Sequence, residues 1–316
     1  MRPLNIGLTA LGIGAAGLAY AAGYEVRAFR LRRYDVPILP VGSAPLRILQ
    51  VSDLHMTPGQ RRKQQWVRAL AELDPDLVIN TGDNLAHSDS VPAVLDALGP
   101  LLDRPGAFVF GSNDYFGPVP KNPARYLWER RGGVPPGAIR LPWEDLQKGM
   151  AGAGWADLTN ARAELEVGGR RIELVGVDDP HIGRDRYDLI AGRVNQEAEL
   201  TLGIVHAPYR RVLDRMINDA CSIVIAGHTH GGQLCVPFYG ALVTNCDLPR
   251  RHAKGLTWYG APDRANTGGW LHVSAGLGTS PYAPVRFACP PEATLLTLVP
   301  APHDPHDRLA LARPAP

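Results

Sequence analysis

The feature that most constrains the fold is a series of short, mostly apolar runs separated by turn and helix signals. Continuous apolar runs are typical of strands covered on both faces, whereas strands with one wet face alternate. We predict eight such strands, at residues 46–52, 76–81, 107–110, 171–177, 201–205, 221–226, 270–275 and 294–299. The stretches at 61–73, 91–102 and 208–220 predict helices between strands, and this alternation indicates a layered α/β domain.

Residue types that bind metals follow five of these strands, at the point where each apolar run ends. These residues are Asp53, His55, Asp83, Asn113, Asp114, His206, His228 and His230. In an open α/β sheet, ligands bind at the carboxyl ends of the strands, so these side chains are expected at one edge. Four of the ten histidines fall at these positions, which favours a shared site over unrelated structural roles.

The chemistry of a metal site explains these residue types. Mixed imidazole and carboxylate ligands suit Mn, Fe or Zn better than Mg or Ca alone. One carboxylate can bridge two ions about 3.5–4 Å apart, which then activate a water and clamp a tetrahedral phosphoryl group. Glycines beside the ligands permit sharp turns and a close approach to substrate. The sequence therefore predicts two divalent metal ions, of Mn, Fe or Zn.

The strand-end motifs resemble those of the calcineurin-like metallophosphoesterase superfamily. The motifs that carry the resemblance are Asp53-x-His55, Gly82-Asp83, Gly111-Ser-Asn-Asp114, His206 and Gly227-His-Thr-His230. The Gly-Gly-Gln sequence at 231–233 resembles a motif found in a membrane-associated bacterial subgroup of this superfamily. The resemblance spans residues 46–299 and implies a four-layer α/β/β/α sandwich of two mostly mixed sheets flanked by helices. It also implies a dinuclear phosphohydrolase that cleaves phosphoesters by attack of a metal-bound hydroxide.

The resemblance also implies roles for individual residues. The first metal ion would be held by Asp53, His55, Asp83 and His230, and Asp83 would bridge to the second. The second metal ion would be completed by Asn113, His206 and His228.

The third motif departs from the family pattern, which is Gly-Asn-His followed by Asp or Glu. In an ungapped alignment Ser112 takes the ligand position and Asn113 takes that of the histidine. A shift by one residue makes Asn113 the ligand, followed by Asp114, and we favour this because an amide oxygen is a better ligand than a hydroxyl. Either way the histidine is missing, and the candidate catalytic residues are Asp83, Asn113 and Asp114.

Outside the phosphoesterase domain at 26–300, the N-terminal segment is the most informative. Residues 3–24 carry no charge and are numerous enough to cross a bilayer, which predicts a membrane anchor within residues 1–25 and a membrane-associated protein. A cleaved signal peptide, indicated by Ala-Tyr-Ala at 19–21, and a buried core helix are the alternatives. The arginines that follow leave the side of the membrane open, because residues 26–39 partly alternate and also fit a strand.

Two further segments break the pattern of strands and helices. Residues 117–142 are rich in proline and glycine and form a candidate insert or lid, and residues 301–316 predict a disordered tail. His87 is expected in a solvated loop. Asp178, Asp179 and His181 lie at another strand end, where they either touch the substrate or form a turn.

The leading functional hypothesis is a metallophosphoesterase acting on a phosphoester substrate. The uncharged N-terminal segment and the insert favour lipid-linked or envelope phosphoesters. The alternative is a non-catalytic metal-binding scaffold of the same fold, and the third is a nuclease or cyclic-nucleotide phosphodiesterase. The net charge is only +2 and basic residues cluster only at 125–131, which argues against nucleic acid as a partner.

Overall fold

The computed structural model describes residue 12 and residues 14–120, 132–195, 197–260 and 268–302. In this part of the chain the strands form two six-stranded sheets and one two-stranded hairpin. The strands are β1 Arg30–Leu39, β2 Leu46–Val51, β3 Leu77–Asn80, β4 Gly106–Phe108, β5 Ala156–Asp157, β6 Ala161–Val167, β7 Arg170–Gly176, β8 Leu200–Val205, β9 Ile223–Ala226, β10 Cys235–Val236, β11 Gly240–Ala241, β12 Gly255–Gly260, β13 Gly268–Val273 and β14 Glu292–Pro300. The α-helices are α1 Arg61–Ala69, α2 Val91–Leu102, α3 Ser112–Tyr115, α4 Trp143–Gly152 and α5 Arg210–Asn218.

Both large sheets are mixed. The first sheet has the order β1-β14-β2-β3-β4-β5, in which β2 to β5 are parallel and β14 is antiparallel to β2. The second has the order β12-β13-β9-β8-β7-β6, in which the four central strands are parallel and the two outer strands are antiparallel to their neighbours. The carboxyl ends of the parallel strands are therefore aligned within each sheet, as the site prediction requires.

Three buried layers of side chains show how the sheets and helices stack. Ile48 of β2 packs between the two sheets with Ile204 of β8 and Ile225 of β9. The neighbouring Leu49 points to the opposite face, in the core that contains residues of α1, α2 and α4. On the outside of the second sheet, Leu213 of α5 packs into a third core. The predicted four-layer α/β/β/α sandwich is confirmed, and a continuous apolar run is needed in β2 because both of its faces are covered.

The predicted elements are present, with small shifts at their ends. All eight predicted strands and all three predicted helices are found, although α5 is shorter than the predicted 208–220. The predicted helix 61–73 continues beyond α1 as a 3₁₀ turn at Leu70–Leu73. Strand β1 occupies the alternating segment after the N-terminal region. Helix α4, strands β5, β6 and β12 and the β10–β11 hairpin were not predicted.

The N-terminal region joins the body of the domain through Glu25, whose side chain is buried. Its carboxylate accepts hydrogen bonds from the backbone N–H groups of Ala288 (3.1 Å) and Cys289 (2.5 Å). Among the described residues, none of the helices has the length and apolar character that crossing a bilayer requires. Most of the predicted anchor (residues 1–11 and 13), part of the predicted lid (121–131) and most of the predicted tail (303–316) lie outside the described residues.

Candidate metal centre

The backbone of the predicted ligands is unusual, because five of the seven have positive φ angles. These are Asp53 (49°), His55 (39°), Asp83 (56°), His228 (71°) and His230 (51°). Side chains other than glycine rarely adopt this left-handed region, and each such residue costs about 1–3 kcal/mol. Strain of this kind persists where the surrounding structure enforces it. Here it turns the chain sharply after β2, β3 and β9, so that the side chains reach one cavity.

Two glycines beside the ligands are required by close packing. A Cβ atom on Gly227 would lie 2.7 Å from Oδ2 of Asp53, and one on Gly111 would lie 2.6 Å from Cε1 of His206. Neither distance leaves room for a side chain without moving a ligand. The glycines of the third and fifth motifs therefore let neighbouring strand ends approach one another.

The first group of ligands consists of Asp53, His55 and His230. The Nε2 atoms of the two histidines are 3.2 Å apart, and Nε2 of His230 lies 3.7 Å from Oδ1 of Asp53. Nδ1 of His230 is 3.1 Å from the carbonyl oxygen of Gly278, which can accept its proton and leaves the Nε2 lone pair directed into the cavity. A cation between these nitrogens would satisfy both.

The second group consists of Asp53, Asp83 and His206, whose donor atoms all lie within 4.8 Å of one another. Nδ1 of His206 donates to the carbonyl oxygen of Thr81 at 2.7 Å, so its Nε2 faces the site. Oδ2 of Asp83 is 3.5 Å from Nε2 of His206 and 3.5 Å from Nε2 of His55. Asp83 therefore lies between the two groups, where a bridging ligand would be needed.

The protonation states of these groups depend on burial and on their neighbours. Burial lowers the pKa of His55 to about 4 and lowers the pKa of His230 well below its usual value, so both are neutral at pH 7. Burial also opposes the charged form of His206, but the carboxylate of Asp83 outweighs it and raises the pKa of His206 well above its usual value. Burial raises the pKa of Asp53 to about 6.

The site residues fit divalent cations by the chemistry of their donors. Nε2 of His206, which faces the site, is buried and has no hydrogen-bond partner among the described residues. A buried polar atom without a partner requires an explanation, and an ion is one. Neutral imidazoles and carboxylates are the donors that Mn, Fe and Zn accept. Asp53, His55, Asp83, His206 and His230 would hold the metal ions.

We expect metal binding to weaken as the pH falls through about 6, where the carboxylate of Asp53 takes up a proton. A cation must displace the proton of His206, whose pKa is raised, and below pH 6 it must also displace a proton from Asp53. Both groups have raised pKa values, so acid favours the protonated site. Metal content after equilibration with Mn or Zn at pH 5 to 8 checks this, and a metal content independent of pH would contradict it.

Asn113 contacts the carboxylate of Asp83 through two donors. Its backbone N–H donates to Oδ1 at 2.8 Å and its side-chain Nδ2 donates to Oδ2 at 2.7 Å. The hydroxyl of Ser112 lies 3.4 Å from the same Nδ2. A rotation of the Asn113 side-chain amide by 180° would place its oxygen where Nδ2 now lies, beside Asp83. This geometry favours Asn113 over Ser112 as the residue that contributes to the metal centre.

We expect Asn113→Ala to lower activity by about 10²-fold or more, because it removes a group that contacts Asp83 and a candidate ligand. Ser112→Ala is the matched control and should change activity by less than about threefold, because its hydroxyl makes only one long contact in this site. Activity and metal content of both variants decide the alignment. If Ser112→Ala loses a metal ion while Asn113→Ala retains both, the ungapped alignment is correct.

His228 is held at the edge of the centre by both its backbone and its ring. Its N–H lies 3.1 Å from each carboxylate oxygen of Asp53, and its Nε2 is 3.2 Å from the carbonyl oxygen of Asn245. If Nε2 donates to that carbonyl, Nδ1 is left as the nitrogen able to bind a metal. The ring of His206 is 5.2 Å away, which places His228 beside the second group.

Asp114 has a different environment from the other predicted site residues. It is fully buried, and its carboxylate accepts hydrogen bonds from four backbone N–H groups, those of Asp83 (2.8 Å), Asn84 (2.7 Å), Leu85 (3.3 Å) and Gly111 (3.0 Å). Burial raises the pKa of Asp114 to about 7, although these N–H groups favour the ionised form. Its geometry therefore favours a structural role in fixing the loop that carries Asp83.

Other residues near the centre lie far from the ligands in sequence. Arg286 is fully buried and donates to the carbonyl oxygens of Ala275 (2.7 Å) and Gly278 (2.8 Å), and Gly278 also contacts His230. Sequence reasoning missed Arg286, Asn245 and Gly278, because single arginines, asparagines and glycines carry no motif. Only the fold brings them to the site.

The structure also shows the surroundings of the residues for which the sequence left two roles open or predicted a loop position. His181 lines the cavity and its ring is 4.5 Å from that of His228, so this strand end does reach the site. Asp178 binds Arg184 (2.7 Å), and Asp179 accepts a hydrogen bond from the backbone of His181 (2.8 Å). His87 is exposed and contacts Asp89, as expected for a loop histidine.

A cavity of about 230 Å³ lies against the candidate metal ligands. Polar residues of the site, including His55, Asp83 and Asn113, form part of its lining. Apolar side chains also contribute, among them Phe116, Leu234 and Leu242. A cavity of this composition can hold a phosphoester group beside the metal ligands and an apolar group farther out.

Carboxylates and imidazoles gathered at the carboxyl ends of strands from two sheets define a metal-dependent hydrolase site. Residues 46–232 match the family described as calcineurin-like phosphoesterase, and the chain belongs to this family. The predicted resemblance to the calcineurin-like metallophosphoesterase superfamily is thereby confirmed, and the protein is a hydrolase that acts on phosphoester bonds.

Two bacterial relatives of similar length, matched in sequence, support this assignment. The chain is 25% identical over 303 residues to the uncharacterized metallophosphoesterase YkuE of Bacillus subtilis, covering 92% of this chain and 93% of the relative. It is 27% identical over 291 residues to the phosphodiesterase YaeI of Escherichia coli, covering 90% and 94%. Among solved structures, the phosphopantetheinyl hydrolase PptH of Mycobacterium tuberculosis aligns with a TM-score of 0.41 at 13% identity, covering 85% of this chain and 99% of that one.

Proposed function

We propose that the protein is a dinuclear metal-dependent phosphohydrolase. The observation that carries this proposal is the position of Asp83, whose Oδ2 is 3.5 Å from His55 on one side and 3.5 Å from His206 on the other. A single carboxylate between two imidazole groups suits two cations that share one ligand. Cations bound by Asp53 and Asp83 would also explain why both carboxylates are buried despite their charge.

Bound cations and two sets of residues of this chain would support hydrolysis. Two bound divalent cations supply Lewis acidity, which lowers the pKa of water and stabilises charge on phosphoryl oxygens. The carbonyl oxygens of Thr81 and Gly278 fix the ring orientations of His206 and His230. The side-chain amide of Asn113, beside Asp83 at the cavity wall, is placed to contact a phosphoryl oxygen. With Asn113 as a metal ligand, no side chain of the third motif fully replaces the family histidine.

The substrate we propose is a lipid-linked phosphoester. The support is the apolar part of the cavity lining, to which Phe116, Val119, Leu234, Leu242 and Val285 contribute. Because such a wall gives no advantage to a small polar substrate, an apolar group attached to the phosphate would bind better. The name of the relative YaeI, a phosphodiesterase, makes diesters the first substrates to test.

The experiment is a panel of phosphoesters assayed with Mn, Zn, Fe and Mg. It should contain monoesters, diesters, pyrophosphates and lipid phosphates, with cyclic nucleotides and single-stranded DNA as representatives of the third hypothesis. We expect metal-dependent hydrolysis with a preference for substrates that carry an acyl chain. Tight metal binding without turnover of any substrate would instead support the non-catalytic scaffold.

We also propose that the protein is membrane-associated through its N-terminal segment. The support is the absence of charge between residues 3 and 24, most of which lie outside the described residues. Full-length protein should stay in the membrane fraction through an alkaline carbonate wash, whereas a chain that begins at Val26, which lacks the anchor, should be released by it. Full-length protein that remains soluble with its N-terminus intact would contradict the anchor, and a mature N-terminus near Ala22 would indicate a signal peptide.

A further inference from the structure

A set of exposed apolar side chains lies near the cavity, and three of them line it. This set, called the apolar rim, consists of Leu18, Tyr20, Tyr24, Leu234, Val236, Phe238, Tyr239, Leu242, Tyr282 and Phe287. Each of them is more than a third exposed, and Phe238 is wholly exposed. Single exposed apolar residues are ordinary, but a connected set of this kind marks a surface that contacts something.

Contacts between its members link the rim to the cavity. Leu234 pairs with Phe287 in a short parallel bridge, and the ring of Tyr20 packs edge-on against that of Phe287 at 6.1 Å. Tyr20 also contacts Tyr24 at 5.5 Å. Leu234, together with Leu242 and Tyr282, lines the cavity. These contacts lead from the N-terminal region to the cavity lining, and the β10–β11 hairpin joins them where the backbone N–H of Cys235 donates to the carbonyl oxygen of Phe287 (2.8 Å).

The tip of the β10–β11 hairpin is built in a way that folding alone does not explain. Phe238 has a φ of 65°, which is unfavourable for a bulky side chain, yet its side chain contacts solvent. The guanidinium of Arg250 lies 4.7 Å from the ring centre of the adjacent Tyr239. An exposed aromatic tip with an arginine beside it is typical of segments that insert into the headgroup region of a bilayer.

The N-terminal region indicates what covers the rim. The backbone N–H of Arg286 donates to the carbonyl oxygen of Ala21 at 3.1 Å, so the uncharged segment 3–24 ends against the rim itself. Phe287 contacts both the end of this segment, through Tyr20, and the base of the hairpin, through Cys235, so one covering surface can meet both. A bilayer meets both requirements, because it accepts an apolar segment and an aromatic tip on one side.

We propose that the apolar rim docks on a phospholipid bilayer, with Phe238 inserted and the cavity mouth facing the headgroups. The docking surface itself does not depend on the proposed function. The role of docking in catalysis does rest on the proposed function: a lipid-linked phosphoester could pass from the bilayer into the cavity while its acyl chain stays in apolar surroundings. Docking and hydrolysis can therefore fail independently, and two separate measurements distinguish them.

The first measurement is the fluorescence of Phe238→Trp in full-length protein mixed with vesicles of phosphatidylglycerol and phosphatidylethanolamine. Val41→Trp is the control. Val41 is 65% exposed and lies in the loop that leads into β2, whereas the site lies at the carboxyl end of that strand. With wild-type emission subtracted, the emission of the Phe238→Trp variant should shift to the blue and be quenched by brominated acyl chains. The emission of the Val41→Trp variant should show neither effect.

Two outcomes of this measurement would overturn the proposal. One is equal behaviour of the two variants, which would mean that the hairpin tip does not enter the bilayer. The other is a blue shift of the Phe238→Trp variant that occurs without vesicles and grows with protein concentration, which would indicate that a second copy of the chain covers the rim.

The second measurement compares two substrates in the double variant Phe238→Ser, Tyr239→Ser. Neither side chain lines the cavity, so hydrolysis of a small water-soluble phosphoester should be unchanged. Burial of one aromatic ring changes a binding constant by roughly 10- to 100-fold, so hydrolysis of a vesicle-embedded phosphoester should fall by about tenfold or more. An equal loss on both substrates would overturn the docking role. If wild-type protein hydrolyses neither substrate, the proposed function fails, and the fluorescence result still decides whether the rim docks.

Discussion

Asp83→Ala is expected to lower phosphoester hydrolysis by about 10³-fold or more and to reduce the bound metal by at least one ion. The reason is geometric, because Asp83 is the side chain whose oxygen lies 3.5 Å from both His55 and His206. Stabilisation of transition-state charge by a cation amounts to several kcal/mol, and about 1.4 kcal/mol corresponds to a factor of ten in rate. Steady-state kinetics and metal analysis of the purified variant measure the two effects.

Two further variants make this result specific. Asp83→Asn keeps the shape of the side chain, and it should lose activity to a similar extent because a neutral amide cannot balance two cations. Asp96→Ala removes a carboxylate that is 68% exposed on α2, and it should leave both activity and metal content unchanged. If Asp83→Ala retains full activity without a bound ion, the dinuclear mechanism is wrong.

The central strands and the ligand positions could be predicted from the sequence for the same physical reason. Strands such as β2, β3, β8 and β9 are covered on both faces, so they require uninterrupted apolar runs whose ends are easy to see. Each ligand then follows directly after such a run. The edge strand β6 was missed because its exposure alternates and its sequence, Ala-Arg-Ala-Glu-Leu-Glu-Val, has too few apolar residues for this pattern.

The arrangement of residues around the ligands could not be predicted in the same way. Gly278 orients His230 from 48 positions away, and Asn245 contacts His228 from a loop without a recognisable motif. The left-handed backbone of the ligands also leaves no mark on residue type, because aspartate and histidine occur at many other kinds of position. Such features depend on tertiary contacts, which a single sequence does not display.

Asp114 shows most clearly how the geometry changes an expectation derived from a motif. It follows Asn113 in the third motif and was therefore a candidate catalytic residue. Its Oδ1 instead accepts from the backbone N–H groups of Asn84 and Leu85, and its Oδ2 from those of Asp83 and Gly111. Both ligand-bearing loops are thus attached to a single side chain. The catalytic role remains a prediction, and stability measurements can separate it from the structural one.

We expect Asp114→Ala to lower the free energy of unfolding by about 3–5 kcal/mol. It would leave four buried N–H groups without an acceptor, each costing about 1–3 kcal/mol, and water entering the space would recover part of this loss. Asp114→Asn retains one oxygen acceptor and should lose about half as much. Thermal or urea unfolding measures both, and Asp188→Ala, which removes an exposed carboxylate, is the control.

The same variants distinguish a structural from a catalytic Asp114. If Asp114 only fixes the loops, activity should fall in parallel with stability and recover in part when high metal concentration stabilises the folded site. Asp114→Asn would then be more active than Asp114→Ala, because two of the four N–H groups keep their acceptor. If both variants instead unfold like the wild type but lose turnover equally, Asp114 takes part in catalysis, and the motif-based hypothesis is the correct one.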